Sequence, residues 1–146
     1  MASIFKWVAP ESIATALTTD LNSLANGSYS AASAAIDNET DLYTHLDLEV
    51  YLGSLTPTGT PTVSAYLVPS VDGTNYTDGG GATAPPIETL IAVLSLSTST
   101  GAKYRSATNI PIPPLKFKLI LLNSSGVALA SSGNTLKYRR HNGQAV

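Results

Sequence analysis

Apolar and polar residues alternate with a period of two along much of this chain. Between Leu46 and Leu52 the apolar Leu46, Leu48, Val50 and Leu52 are interleaved with Asp47, Glu49 and Tyr51, and His45 precedes them. Leu115, Phe117, Leu119 and Leu121 alternate in the same way with Lys116 and Lys118. Such alternation sets one face of a strand against a core and the other toward water. Thr62 to Val68 reads as a further strand from its β-branched and aromatic content. Ile87 to Thr98 reads as another, with Ile91 and Val93 on one face and Leu90, Leu94 and Leu96 on the other. Being apolar on both faces, it is expected at the centre of a sheet or at a contact between subunits. Val127 to Ala130 and Thr135 to Arg140 complete the series. Asn123-Ser124-Ser125-Gly126 and Ser131-Ser132-Gly133-Asn134 are expected as hairpin turns between the last three. Short strands punctuated by glycine and proline predict an all-β, antiparallel β-sandwich.

The first forty residues follow another pattern. Ile13, Leu17, Leu21 and Leu24 fall at helical spacing, with Pro10-Glu11-Ser12 as a start and Gly27 as a stop, so a short helix is expected. Thr15, Thr18 and Thr19 oppose it through their low helix propensity. Tyr29 to Ile36, small and alanine-rich, reads as a thin strand closely covered by a neighbour. Ahead of these, Phe5 and Trp7 sit in a decapeptide with no turn to bury them locally. They either fold back, Trp7 plugging the end of its own sandwich, or dock on another chain. The organisation expected is an extended N-terminal arm over 1–19 and a single sandwich domain over 20–146. A long loop, Asp72 to Gly81, is expected to be exposed and flexible.

Composition narrows the function. Charged residues are 12% of the chain, about half the usual share. Serine and threonine, 17 of each, replace them. A polar but weakly charged surface lets molecules pack together without desolvating many ions. A formal net charge of -2 gives no basic footprint for nucleic acid. The absence of cysteine removes disulfides, thiolate zinc sites and cysteine nucleophiles. The amino terminus has no continuous apolar stretch of the signal-peptide kind, and no apolar run approaches membrane-spanning length. A soluble protein made without export, with no membrane partner, is the expectation. The sequons at Asn26, Asn38, Asn75 and Asn123 are accordingly read as turn chemistry.

Candidate chemistry is sparse. Asp37, Glu39 and Asp41, and separately Asp72, Asn75 and Asp78, offer hard oxygen ligands, but the residue types suit turns that bond their own backbone better than calcium loops. Asp47 and Glu49 share a strand face with His45, as a two-carboxylate glycosidase pair would, and also as a solvated sheet face would. Gly79-Gly80-Gly81 precedes no helix start and is no phosphate loop. Arg139-Arg140-His141 is expected to form a strand-end cluster facing a partner or solvent. No catalytic, metal-binding or cofactor-binding residue is assigned, no cofactor is expected, and the chain does not read as an enzyme.

Several segments carry a resemblance. Leu21-Asn22-Ser23-Leu24-Ala25-Asn26-Gly27, Ala35-Ile36-Asp37-Asn38, Val68-Pro69-Ser70-Val71-Asp72-Gly73-Thr74-Asn75-Tyr76, Ile110-Pro111-Ile112-Pro113 and Ser132-Gly133-Asn134-Thr135-Leu136 resemble small virion structural proteins of tailed bacteriophages. Within that group the chain is most similar to capsid decoration, or cement, proteins. The resemblance implies a jelly-roll-like sandwich, synthesis in the host cytoplasm and a place on the capsid surface of the virion. It also implies the major capsid protein as partner and a homo-oligomer, with a trimer favoured. Phe5 and Trp7 would then be partner-binding residues. Tail, collar or fibre components remain open. So does a carbohydrate-binding β-sandwich module using Tyr43, Tyr51, Tyr66, Tyr76, Tyr104 or Tyr138.

Overall fold

A computed structural model describes residues 4–145; the first three residues of the expected arm and residue 146 lie outside the described residues. Among the described residues the chain forms strands β1 (Phe5–Trp7), β2 (Ala14–Leu17), β3 (His45–Leu55), β4 (Thr62–Ser70), β5 (Leu90–Ser95), β6 (Gly101–Pro111), β7 (Lys116–Ser124), β8 (Thr135–His141) and β9 (Gly143–Ala145). Single 3-10 turns occur at Thr19–Leu21 and Ile87–Thr89. One sheet has the order β2-β8-β3-β6, a second β5-β4-β7, and β1 pairs with β9 as a two-stranded ribbon. Every pairing is antiparallel. The fold is the all-β sandwich that the alternation predicts.

The core lies between the two larger sheets. Leu46, Leu48, Val50 and Leu52 of β3 join Val63, Ala65 and Leu67 of β4 and Phe117, Leu119 and Leu121 of β7 in one buried cluster. Each such side chain contributes about 1.5–3 kcal/mol on leaving water. The faces are those the sequence predicts. Ile120, on the other face of β7, is also fully buried, in a small cluster with Tyr66 and Val68. The loop expected to be free packs over this cluster. A Cβ on Gly79 would stand 3.0 Å from Ile120 Cδ1, and one on Gly80 3.0 Å from the Ala32 nitrogen. Only glycine allows so close an approach at these positive φ angles. Hydrogen bonds from Thr77 N to Pro69 O and from Gly81 N to Ser30 O tie the loop down.

Residues 28–36, where a thin strand is expected over Tyr29 to Ile36, form no regular strand but line the free edge of β7 through isolated bridges, Tyr29 with Leu122 and Ile36 with Phe117, in an unusual register. Ser30, Ser33 and Ile36 donate their amides to the carbonyls of Leu121, Leu119 and Phe117. Three residues on one side therefore match two on the other. The serine hydroxyls complete the ladder: Ser30 Oγ accepts from Leu121 N and Ser33 Oγ from Leu119 N, both at 3.0 Å. Each hydroxyl donates onward to the next carbonyl, Ala31 O or Ala34 O. Ser33→Ala would strand the buried Leu119 amide. A loss of about 1–3 kcal/mol is expected, read as a lower urea midpoint with unchanged slope; an unmoved midpoint would refute this role for the hydroxyl.

The structure departs from several expectations. No helix forms over 13–24: Ala14–Leu17 is a strand paired with β8, and the turn after it is 3-10. Leu17 and Leu21 are buried in either geometry, so their spacing is ambiguous, while the threonines favour the extended form. The sheet thus takes in residues 14–17, which the expected arm included. β5 is an edge strand, with Leu94 buried and Val93 57% exposed, so of the two places expected for it the centre of a sheet is excluded. Val127 to Ala130 is not a strand, and no hairpin joins β7 to β8, because these lie in different sheets. The segment crosses between them, held by bonds from Leu129 N to Leu24 O and from Ser23 N to Ala130 O. β6, finally, is a strand that the alternation does not predict, since Lys103 points inward and reaches the Ser99 carbonyl.

Candidate functional site

The outer face of the four-stranded sheet gathers most of the chain's exposed chemistry. Polar positions of β3 face those of β6 and β8 in direct register. Tyr51 lies opposite Tyr104, Glu49 opposite Ser106 and Lys137, Asp47 opposite Arg139, and His45 opposite His141. The ionic rows are cross-linked. Arg139 Nε donates to Asp47 Oδ2 at 3.1 Å, and Asn109 N donates to Asp47 Oδ1 at 2.9 Å. His141 Nε2 is 3.2 Å from the same Oδ1. Tyr104 Oη donates to Glu49 Oε2 at 2.6 Å, and Lys137 Nζ stands 3.7 Å from Glu49 Oε1. Partial burial would raise the Asp47 pKa, but the Asn109 amide, Arg139 and His141 outweigh it and hold the carboxyl below its ordinary value. The bond to Glu49 raises the pKa of Tyr104. A glycosidase acid needs a raised carboxyl. Asp47 is shifted the other way, and hydrogen bonds tie both carboxylates into the sheet face.

A cavity of about 320 Å³ opens on this face between Ile13, Glu49, Tyr104, Ser106, Thr108 and the Asp47–Arg139 pair. A second, of about 190 Å³, shares Asp47 and Arg139 and extends beneath Trp7.

Phe5 and Trp7 sit at this end of the sheet. β1 runs along β9 with Phe5 opposite Ala145 and Trp7 opposite Gly143. Any Cβ at position 143 would collide with the Phe5 ring, so glycine lets the ring lie across the ribbon. Trp7 meets Phe5 edge-on at 5.6 Å and His141 at 5.2 Å. It also meets His45 at 6.0 Å, and the two imidazoles stack on one another at 5.5 Å. Phe5 is 64% and Trp7 59% exposed. The arm folds back onto its own chain, where Trp7 packs edge-on against both imidazoles and stays more than half exposed.

The remaining candidates are structural. Asp37 accepts from the amides of Glu39 and Thr40, and Asp72 from those of Thr74 and Asn75. The Thr40 amide chiefly lowers the Asp37 pKa, and the Asn75 amide and side chain hold Asp72 well below the usual carboxylate range. These are the self-bonded turns expected. Arg140, expected at a surface cluster, is instead buried among Glu11, Asp41 and the Asp37 carbonyl. Of the sequon asparagines, Asn38 and Asn123 are fully buried. Asn38 bonds Tyr43 and Pro113, and Asn123 bonds Leu24, Val127 and Ser125.

Sequence reasoning found Asp47, Glu49, His45, Phe5 and Trp7, but not that Tyr104, Ser106, Thr108 and Arg139 complete the face. The one available signal is the spacing of Tyr104, Ser106 and Thr108 at every second position. Among the described residues no helix is long and apolar enough to cross a membrane. No family model matches this chain, and no curated protein matches it, so the reading of this face rests on its own geometry.

Proposed function

We propose that the protein is a structural component of a tailed-bacteriophage virion, a decoration protein that binds the outside of the capsid and ties neighbouring major capsid subunits together. The observation that carries the reading is the exposure of Phe5 and Trp7 on β1, a strand held by β9. Two aromatic rings in water cost free energy unless a partner covers them. Together they would bury roughly 300–400 Å², and exposed Ile4 and Val8 extend the patch. The low charge supports it, since a weakly charged surface docks without large desolvation costs. Strand order supports the jelly-roll form. Counting 28–36 beside β7, the sheets run β2-β8-β3-β6 and 28–36-β7-β4-β5, an arrangement that suits paired Greek keys. Exposed Val93 and Ile87 by the free edge of β5 offer a contact for a second copy, in keeping with a homotrimer at lattice symmetry axes.

Deleting residues 1–9 tests the reading. Among the described residues Val8 bonds Asn142 and β1 pairs with β9 alone, so the truncated protein should keep its melting temperature to within a few degrees. It should also lose attachment to capsids lacking the native protein, while the intact chain gives discrete density on the head in cryo-electron microscopy. Truncated protein that decorates at full occupancy would overturn the reading, as would density confined to the tail or collar.

A further inference from the structure

The outer face of the four-stranded sheet has the makings of a ligand site that capsid attachment does not use. Its donors and acceptors are mixed: Asp47 and Glu49 present carboxylate oxygens, Arg139 a guanidinium, Ser106 and Thr108 hydroxyls. Two carboxylates balance two cations, Lys137 and Arg139, so the face selects neither an anion nor a cation. Neighbouring hydroxyls of a pyranose meet this pattern directly, donating to a carboxylate and accepting from a guanidinium. The polar groups are also already positioned, Asp47 by Asn109 and Arg139, and Glu49 by Tyr104. A ligand would therefore not have to order them.

Aromatic surface flanks the polar rows. Tyr104 is 57% exposed beside its register partner Tyr51, itself 39% exposed. Such rings can cover the apolar C–H faces of sugars while their polar edges stay wet. The main cavity, about 320 Å³, is at the small end of ligand sites. The face runs on, however, from Tyr51 to His45, six residues or about 20 Å along β3. That length suits several sugar rings in line better than one.

We propose that this face is an oligosaccharide-binding groove, with Tyr104 as the stacking platform and Asp47, Glu49 and Arg139 as the hydroxyl-reading groups. The test uses the isolated full chain, so its result is independent of capsid attachment. The probes are a printed array of bacterial surface polysaccharides, followed by saturation-transfer NMR with cello-, malto- and chitotetraose and with any array ligand. At least one probe should bind saturably with Kd between about 10 µM and 1 mM. Tyr104→Ala and Arg139→Ala should each weaken it about tenfold or more with the melting temperature kept to within a few degrees, whereas Lys116→Ala, on the other sheet, should leave it alone. No saturable binding by any probe up to about 5 mM would overturn the proposal. So would binding that survives both groove substitutions, or binding that equimolar inorganic phosphate displaces, which would mark an anion site.

Discussion

Replacing Arg140 by alanine is expected to destabilise the protein by about 3–5 kcal/mol, the usual cost of removing one partner from a buried ionic cluster. The guanidinium joins three parts of the chain. Its Nε and Nη2 donate to the two oxygens of Glu11 at 2.7 and 2.8 Å, and Nη2 also donates to Asp41 at 3.0 Å. Nη1 reaches the Asp37 carbonyl, and the group lies 4.8 Å from the centre of the Tyr43 ring. Burial alone would lower the Arg140 pKa, but the bonds to Glu11 and Asp41 outweigh it and raise it, so the charge is held firmly. Alanine would leave Glu11 without its bidentate partner and detach residues 37–43 from β8. The melting temperature should fall by roughly 10 °C. Arg139→Ala, one residue earlier on the exposed face, should cost less than about 1 kcal/mol. Equal effects from the two would show that the cluster does not hold these segments together.

Phe117→Asp is expected to abolish soluble expression. The ring is fully buried at the middle of the main cluster, and β4 and residue Ile36 pair with it on either side. Losing the ring alone costs about 3–5 kcal/mol. The carboxylate must in addition be desolvated without a partner. Together these approach the whole stability of a domain, about 5–15 kcal/mol. Lys116→Asp, one position away on the opposite face, gives up a 3.9 Å pair with Glu39 between half-exposed side chains and should be tolerated. A one-residue shift in pairing would exchange the two outcomes, so insoluble Lys116→Asp beside soluble Phe117→Asp would refute the register.

β3 and β7 are legible in the sequence because their inner positions are apolar and their outer positions mostly polar, and β4 because of its β-branched and aromatic residues. β6 is not, because Lys103 occupies an inner position and satisfies its ammonium locally on Ser99. The pattern at Ile13, Leu17 and Leu21 fails for a different reason. A short strand followed by a tight turn can bury the same two leucines as a helix, so the period alone does not separate them. The pairing of β1 with Gly143, Gln144 and Ala145 leaves no trace, since those residues carry no apolar pattern. The same limit applies to the outer face. Asp47 and Glu49 can be found by their spacing, but Tyr104 and Arg139 join them only through sheet pairing across 55 and 92 residues, which no local pattern encodes.

The order of strands also governs how the chain reaches its native state. β2 waits for β8, β4 for β7 and β1 for β9, so the sheets close only when nearly the entire chain is available. A nascent chain that has emerged only as far as β6 holds β3 paired on one side and β4 without β7. Large loops must close before these long-range contacts contribute, which places refolding in the millisecond-to-second range rather than microseconds. Until then the apolar rows of β3 and β4 stand open to water, and the cell's chaperones meet a folding problem that the finished molecule no longer displays.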